Sequence, residues 1–203
     1  MTLDDGSSHS YDKLLVATGG KVRKLSCPGS DLENIFTVRT GEDYDEIQDV
    51  VNDDECKNIV IVGGSFIGIE AAAILKTGIQ ERDINVTIIA QEEFPLQRVL
   101  LDEIGKMMKS ENEKGGVHQH LQTGVKEIKG EDGKVKQVVL NNGEVVDADI
   151  VIVGVGVDPS TDYLKSTDNV KLDERGGVIV DEFMRTNDEN IYAVGDLATY
   201  KYW

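Results

Sequence analysis

Residues 59–70 read IVIVGGSFIGIE, an apolar run that ends in a glycine-rich turn and leads into a second apolar stretch. A short run that is apolar throughout is typical of a strand covered on both faces, as in a parallel sheet packed between other layers. Glycines follow apolar runs at three further places, in LLVATGG (14–20), IVIVGVG (150–156) and IYAVGD (191–196). Because ligands of such sheets bind at the carboxyl ends of the strands, these junctions predict a nucleotide-binding α/β protein.

The turn after the first of these runs matches the pattern G-x-G-x-x-G, except that Ser65 occupies the middle glycine position. In this pattern the first glycine permits a tight bend, the third allows close packing of helix on strand, and N–H groups at the start of the helix face a pyrophosphate. A serine still admits a phosphate and has a hydroxyl to donate. We therefore predict a dinucleotide site at Gly63, Gly64, Ser65, Phe66, Ile67 and Gly68. The alternative is a tight strand–helix turn without a ligand.

The second strand of such a unit is expected to end in an acidic residue that binds the adenosine ribose, ~20 positions after the turn. Here the second strand ends in Ala90, and the nearest carboxylates are those of Glu92 and Glu93. No basic residue follows until Arg98, so nothing nearby is expected to receive a 2′-phosphate. The sequence favours NAD over NADP, with Glu92 as the predicted ribose ligand. The alternative is that both glutamates belong to a solvated turn.

The remaining pattern is consistent with one mononucleotide-binding unit. Helices are predicted at 41–52, 65–77 and 102–114, and further strands at 85–90 and 117–121. Three short alternating segments follow between residues 124 and 147, separated by the hairpin signals Asp132-Gly133 and Asn142-Gly143. The predicted fold is therefore α/β, a Rossmann-like domain of order β-α-β-α-β with an inserted β-meander and a return strand at 150–153.

Composition excludes several other classes of protein. The chain has 203 residues and a formal net charge of −17, which argues against binding to nucleic acid or an anionic membrane surface. No apolar run reaches the ~18–20 residues of a membrane span. Two cysteines without C-x-x-C spacing suggest a reducing compartment. We expect an intracellular protein, either cytoplasmic or mitochondrial. His118 and His120 alternate on one strand, but without a third ligand in view we predict no metal site.

Three stretches in order resemble the pyridine-nucleotide-dependent flavoprotein reductases. YDKLLVATG (11–19) is similar to the strand of this family that lines the FAD site, and the block 58–156 is similar to its NAD(H) domain. Thr186 followed by NIYAVGD (190–196) is similar to its second flavin motif. The sequence GGSFIGIEAA (63–72) is most similar to that of the apoptosis-inducing-factor-like branch, including its Rieske-linked members.

This resemblance implies FAD and NAD(H) as cofactors and assigns further residues. It places Thr18, Gly19, Gly195 and Asp196 at the FAD site, with Asp196 holding the ribitol, and Gly154 and Gly156 in the return strand of the NAD(H) domain. It also implies that Glu70 helps to place nicotinamide against flavin. From physics alone, Glu70 could equally complement the helix N-terminus, and Asp196 could cap a helix.

The resemblance implies a domain organisation and a reaction. Residues 41–153 would form the NAD(H)-binding domain, flanked by partial pieces of an FAD-binding domain at 1–40 and 154–203. The expected activity is that of an FAD-dependent NADH oxidoreductase, or a fragment of one, whose electron acceptor is an iron–sulfur protein or a quinone. The alternatives are a non-catalytic dinucleotide-binding module and a structural remnant that binds neither cofactor.

Overall fold

The computed structural model describes residues 1–78, 82–167 and 169–200. In chain order the elements are β1 (Leu14–Val16), β2 (Gly20–Val22), β3 (Ile35–Thr37), α1 (Gly41–Val51), β4 (Asn58–Val62), α2 (Phe66–Gly78), β5 (Asn85–Ile89), α3 (Gln97–Lys114), β6 (Val117–His120), β7 (Val125–Glu131), β8 (Lys134–Leu140), β9 (Val145–Asp147), β10 (Ile150–Val153), β11 (Val157–Pro159), a 3₁₀ turn (Asp162–Leu164), β12 (Val178–Ile179), β13 (Ile191–Ala193) and β14 (Ala198–Thr199). The predicted α/β class is confirmed.

The chain divides into a smaller unit of residues 1–21 and 157–203 and a larger unit of residues 22–156. The larger unit thus begins before residue 40, the boundary that the motifs suggested. The reason is that β3 pairs with β10, and Leu25, Cys27 and Leu32 pack against the core that this sheet shares with the strands at 125–140.

The larger unit is built on a five-stranded sheet of order β3-β10-β4-β5-β6, in which every neighbouring pair is parallel. Side chains alternate across it, because successive residues of a strand point to opposite faces. In β4, Ile59 and Ile61 enter the core that includes α1 and α2, while Val60 and Val62 enter the core that includes the meander. This double coverage explains why the strand is apolar throughout.

The register of the sheet brings three strand ends together. Val62 pairs with Ile89 of β5 and with Val153 of β10. Gly63, Ala90 and Gly154, which follow these three residues, therefore lie side by side at the carboxyl edge.

The meander β7-β8-β9 is antiparallel, as predicted. Asp132 and Gly133 both have positive φ (51° and 83°), which is the turn that an Asp-Gly pair favours between two strands. Helix α3 differs from the prediction, since it begins at Gln97 rather than at 102. Leu96 and Leu101 have φ of 59° and 64°, so a first turn precedes a kink that the apolar spacing did not indicate.

The smaller unit has its own core around Val16, Val178, Ile191, Ala193 and Leu197. Strands β1 and β13 pair in parallel, as do β12 and β14. None of the helices in the described part of the chain has the length and apolar character required to cross a membrane.

Candidate functional site: a cleft at the carboxyl edge of the parallel sheet

A cleft of about 580 Å³ opens where β4, β5 and β10 end, and all of its lining residues belong to the larger unit. Its floor contains Gly63, Gly64, Ala90, Gly154 and Gly156. A Cβ on Gly156 would meet no protein atom within 4 Å, so a side chain at this position would project into free space. The cleft therefore lies where the sequence predicted a nucleotide, at the edge that parallel α/β proteins use for ligands.

The glycines of the turn are required by close backbone contacts. A Cβ on Gly63 would lie 2.3 Å from the carbonyl oxygen of Gly154, and a Cβ on Gly68 would lie 2.1 Å from that of Gly63. Gly63 also has a φ of 121°, which a side chain disfavours. Helix α2 thus starts in direct contact with the ends of β4 and β10.

Ser65, at the position of the missing glycine, joins the start of α2 to the return strand. Its hydroxyl donates to the carbonyl oxygen of Gly154 at 2.7 Å and accepts from the backbone N–H of Gly68 at 3.4 Å. The single hydroxyl proton is therefore used within the protein. We conclude that backbone N–H groups, not the Ser65 hydroxyl, remain for a phosphate. The first turn of α2 contains no acidic residue, which leaves the positive end of the helix available to an anion.

The two candidate ribose ligands, Glu92 and Glu93, differ in their position relative to the cleft. Glu92 lines the cleft and its side chain is 20% exposed, whereas Glu93 is exposed and does not line it. The Oε1 atom of Glu92 is 2.6 Å from Nε of Arg98, which also lines the cleft. The sequence did not predict that Arg98 lines this cleft, because the first turn of α3 was not expected.

The charge of the cleft is opposite to that of the whole protein. Its charged lining consists of three cations, Arg23, Lys24 and Arg98, and one carboxylate, Glu92, within a chain of formal net charge −17. Arg23 and Lys24 were not predicted, since they follow β2 in a segment that the motifs assigned to the other domain. A locally positive cleft on an acidic protein favours an anionic ligand such as a pyrophosphate.

Three of the residues predicted to act on the nicotinamide nucleotide lie outside this lining. Gly68 is buried behind Gly63, and Ile67 lies beside it in the first turn of α2. Glu70, the predicted catalytic residue, is exposed on α2 and is not one of the lining residues. Its role therefore stays a prediction.

The four predicted flavin residues all belong to the smaller unit. Gly19 and Gly195 follow the parallel neighbours β1 and β13, and both have positive φ (66° and 81°). A Cβ on Gly195 would meet no protein atom within 4 Å, and Asp196 beside it is exposed. An open backbone edge with a carboxylate fits a polyhydroxylated chain such as the ribitol of FAD. The Thr18 hydroxyl donates to the carbonyl oxygen of Ser160 at 2.8 Å and lies 3.0 Å from the Tyr163 hydroxyl, so its backbone is the part left for a ligand.

The cysteines and histidines do not form a reactive cluster within the described residues. Cys27 lies at the cleft and packs with the meander-side core, while Cys56 belongs to the core on the other face of the sheet. Burial raises the pKa of both thiols, which keeps them protonated at neutral pH. His120 pairs with Glu144 (Nδ1 to Oε2, 3.0 Å), and no three potential metal ligands come together in residues 1–78, 82–167 and 169–200.

The chain is similar to known proteins in both sequence and fold. A family model described as "Pyridine nucleotide-disulphide oxidoreductase" matches residues 1–203. Apoptosis-inducing factor 3 of Homo sapiens is 37% identical over 196 residues, which are 97% of this chain and 31% of the relative. Rubredoxin-NAD(+) reductase of Pseudomonas putida is 36% identical over 194 residues, 96% of this chain and 48% of the relative.

Among solved structures, an FAD-dependent pyridine nucleotide-disulphide oxidoreductase from Desulfovibrio vulgaris superposes with a TM-score of 0.77 and 32% identity. The match covers 97% of this chain and 49% of that one. The chain thus spans between about a third and a half of the length of the proteins it matches. The resemblance inferred from the three motifs is confirmed: with its glycine-lined cleft and a family match over its whole length, the chain belongs to the pyridine nucleotide-disulphide oxidoreductase family, which uses FAD and NAD(H).

Proposed function

We propose that this chain binds NADH in the glycine-lined cleft and serves an FAD-dependent NADH oxidoreductase that delivers electrons to an external acceptor. The observation that carries the proposal is the cleft itself, a positively charged space bounded by the N-terminus of α2, by glycines at the ends of β4 and β10, and by Ala90 at the end of β5 between β4 and β6.

In this proposal the residues have distinct tasks. The N–H groups at the start of α2 bind the pyrophosphate, and Arg23, Lys24 and Arg98 attract its charge. Glu92 accepts hydrogen bonds from the ribose hydroxyls and opposes a 2′-phosphate. Gly19, Gly195 and Asp196 offer backbone and carboxylate to FAD, and Glu70 orients the nicotinamide. The hydride chemistry itself is supplied by the two bound cofactors.

The acceptor is proposed from the relatives and from the separation of the cysteines. The relative from Pseudomonas putida is named for rubredoxin and NAD(+), and we propose a small electron-transfer protein of the iron–sulfur type for this chain also. Cys27 and Cys56 lie on opposite faces of one sheet, an arrangement that does not provide the close pair of a dithiol relay.

A second candidate is a module that binds NAD(H) without flavin. It is favoured by one observation, that the whole cleft lies in residues 22–156, whereas the predicted flavin residues lie in the smaller unit.

Two measurements on the purified chain test these candidates. Titration calorimetry is expected to show NADH binding more tightly than NADPH, and the absence of NADH binding would refute both candidates. After incubation with FAD and removal of excess, flavin absorbance near ~450 nm that bleaches anaerobically with NADH supports the oxidoreductase. NADH binding without retained flavin supports the module.

A further inference from the structure

One buried polar group in the larger unit lacks a partner. Within the described residues, the Thr123 hydroxyl is the only side-chain oxygen or nitrogen that is buried without a hydrogen bond. Thr123 as a whole is 8% exposed and lines the cleft just beyond the end of β6. Such a group costs stability, because folding removes its water without replacing the bond. Valine has nearly the same shape without the hydroxyl and would avoid this cost.

The backbone of Thr123 is held firmly against the neighbouring strand end. Its N–H donates to the carbonyl oxygen of Ala90 at 3.1 Å, and the N–H of Gln122 donates to that of Glu92 at 3.0 Å. Gln122 adopts a left-handed conformation with φ of 56° to make this turn. The backbone of Thr123 is thereby fixed beside the segment that carries the proposed ribose ligand.

The sheet order indicates which part of a dinucleotide lies at this point. The pyrophosphate is proposed at the turn between β4 and α2, and the ribose at the end of β5. The next strand in the sheet is β6, and in the proposed pose the adenine base extends from the ribose toward the loop that follows this strand. Adenine has ring nitrogens that accept and an amino group that donates, and a hydroxyl can pair with either.

We propose that Thr123 is an adenine-binding residue of this cleft and that its hydroxyl finds its missing partner in the bound nucleotide. The inference rests on the proposed function, which it deepens by naming a residue that recognises the base. A rotation of about 120° around the Cα–Cβ bond would move the hydroxyl into the position that the methyl group now occupies, and we propose that the hydroxyl reaches the bound base by this change of rotamer.

The test compares three variants of the full chain, Thr123→Val, Thr123→Ser and Thr87→Val. Thr87 is a buried threonine in the middle of β5 and does not line the cleft, so it controls for the loss of a buried threonine hydroxyl elsewhere in the sheet. Calorimetric titrations use NADH, ADP-ribose, which contains adenine, and reduced nicotinamide mononucleotide, which does not.

The proposal predicts changes of opposite sign in Thr123→Val. The free chain should unfold at the same or higher denaturant concentration, while NADH and ADP-ribose bind roughly three- to tenfold more weakly. Thr123→Ser and Thr87→Val should retain the wild-type affinities, and binding of the mononucleotide should be unchanged in all variants.

Two results would overturn the proposal and are distinguishable. If the wild type binds NADH and Thr123→Val binds it equally within twofold, the role of Thr123 is refuted while the proposed function stands. If the wild type binds neither NADH nor ADP-ribose, the proposed function fails and the inference fails with it.

Discussion

At the scale of single residues, Glu92 determines the choice between the two pyridine nucleotides in our proposal. We expect Glu92→Gln to weaken NADH binding by about 1.5–3 kcal/mol, the value of a charge-assisted hydrogen bond. NADPH should lose less or even gain, because the change removes a negative charge and releases Arg98, which now pairs with Glu92 at 2.6 Å. Titration calorimetry with both nucleotides measures this difference.

Glu93→Gln is the matched control, since Glu93 is adjacent and exposed but does not line the cleft. It should leave both affinities unchanged. Equal effects of the two substitutions would mean that Glu92 acts only through the overall charge of the loop.

The two thiols allow a prediction of pH dependence. Burial raises the pKa of Cys27 and Cys56 above the ordinary thiol value of 9.0, so a smaller fraction is thiolate at pH 8 than in an unfolded chain. Alkylation of the native protein by iodoacetamide should therefore be slow at pH 8 and should accelerate as the pH rises past 9, with Cys27 reacting before the more deeply buried Cys56. Peptide mass spectrometry resolves the two sites. Rapid modification of either cysteine at pH 7 would contradict the burial that the structure shows.

At the scale of elements, the contact between α2 and β4 depends on the absence of a side chain at Gly68. A Cβ there would lie 2.1 Å from the carbonyl oxygen of Gly63, so Gly68→Ala must push the helix away from the strand. We expect a loss of about 1–3 kcal/mol in the free energy of unfolding, although alanine favours helix more than glycine does. NADH binding should weaken as well, because the N-terminus of α2 moves.

Gly41→Ala is the control at this scale. Gly41 begins α1, and a Cβ there would meet no protein atom within 4 Å. This substitution should be neutral or slightly stabilising in the same denaturant titration. A Gly68→Ala protein as stable as Gly41→Ala would show that the turn is looser than the structure indicates.

At the scale of the whole molecule, residues 22–156 have their own cores on both faces of the central sheet. We expect this fragment to unfold cooperatively by itself and to bind NADH as the full chain does. A fragment of residues 41–153 should be less stable and bind more weakly. It lacks β3, which covers the edge of β10, and it lacks Arg23 and Lys24 of the cleft. Circular dichroism during denaturant unfolding and calorimetric titration test both fragments, and equal behaviour of the two would refute the assignment of residues 22–40 to this unit.

Much of this architecture followed from local patterns, because each of those patterns has a local physical cause. The apolar runs at 59–62 and 150–153 are strands buried on both faces, so their composition alone identified a covered parallel sheet. The Asp132-Gly133 pair predicted a hairpin because both central residues of such a turn have positive φ. Glycine, asparagine and aspartate are the residue types that adopt this conformation most readily. Gly63 also has positive φ, whereas Gly68 is required because α2 approaches the carbonyl oxygen of Gly63, and both glycines predicted the edge at which we propose a ligand.

Other features depended on contacts between residues distant in the chain, which no local pattern encodes. The sequence suggested that the Ser65 hydroxyl could donate a hydrogen bond to a phosphate. In the structure this hydroxyl donates instead to the carbonyl oxygen of Gly154, 89 positions away. Arg98 lines the cleft from the first turn of α3, between Leu96 and Leu101, and the positive φ of these two leucines is one that their side chains disfavour in isolation. Residues 22–40 join the larger unit because β3 pairs with β10, more than a hundred positions later. Sequence thus determined the strands, the turn and the edge at which we propose that a ligand binds, while tertiary packing decided which charges and hydroxyls line that edge.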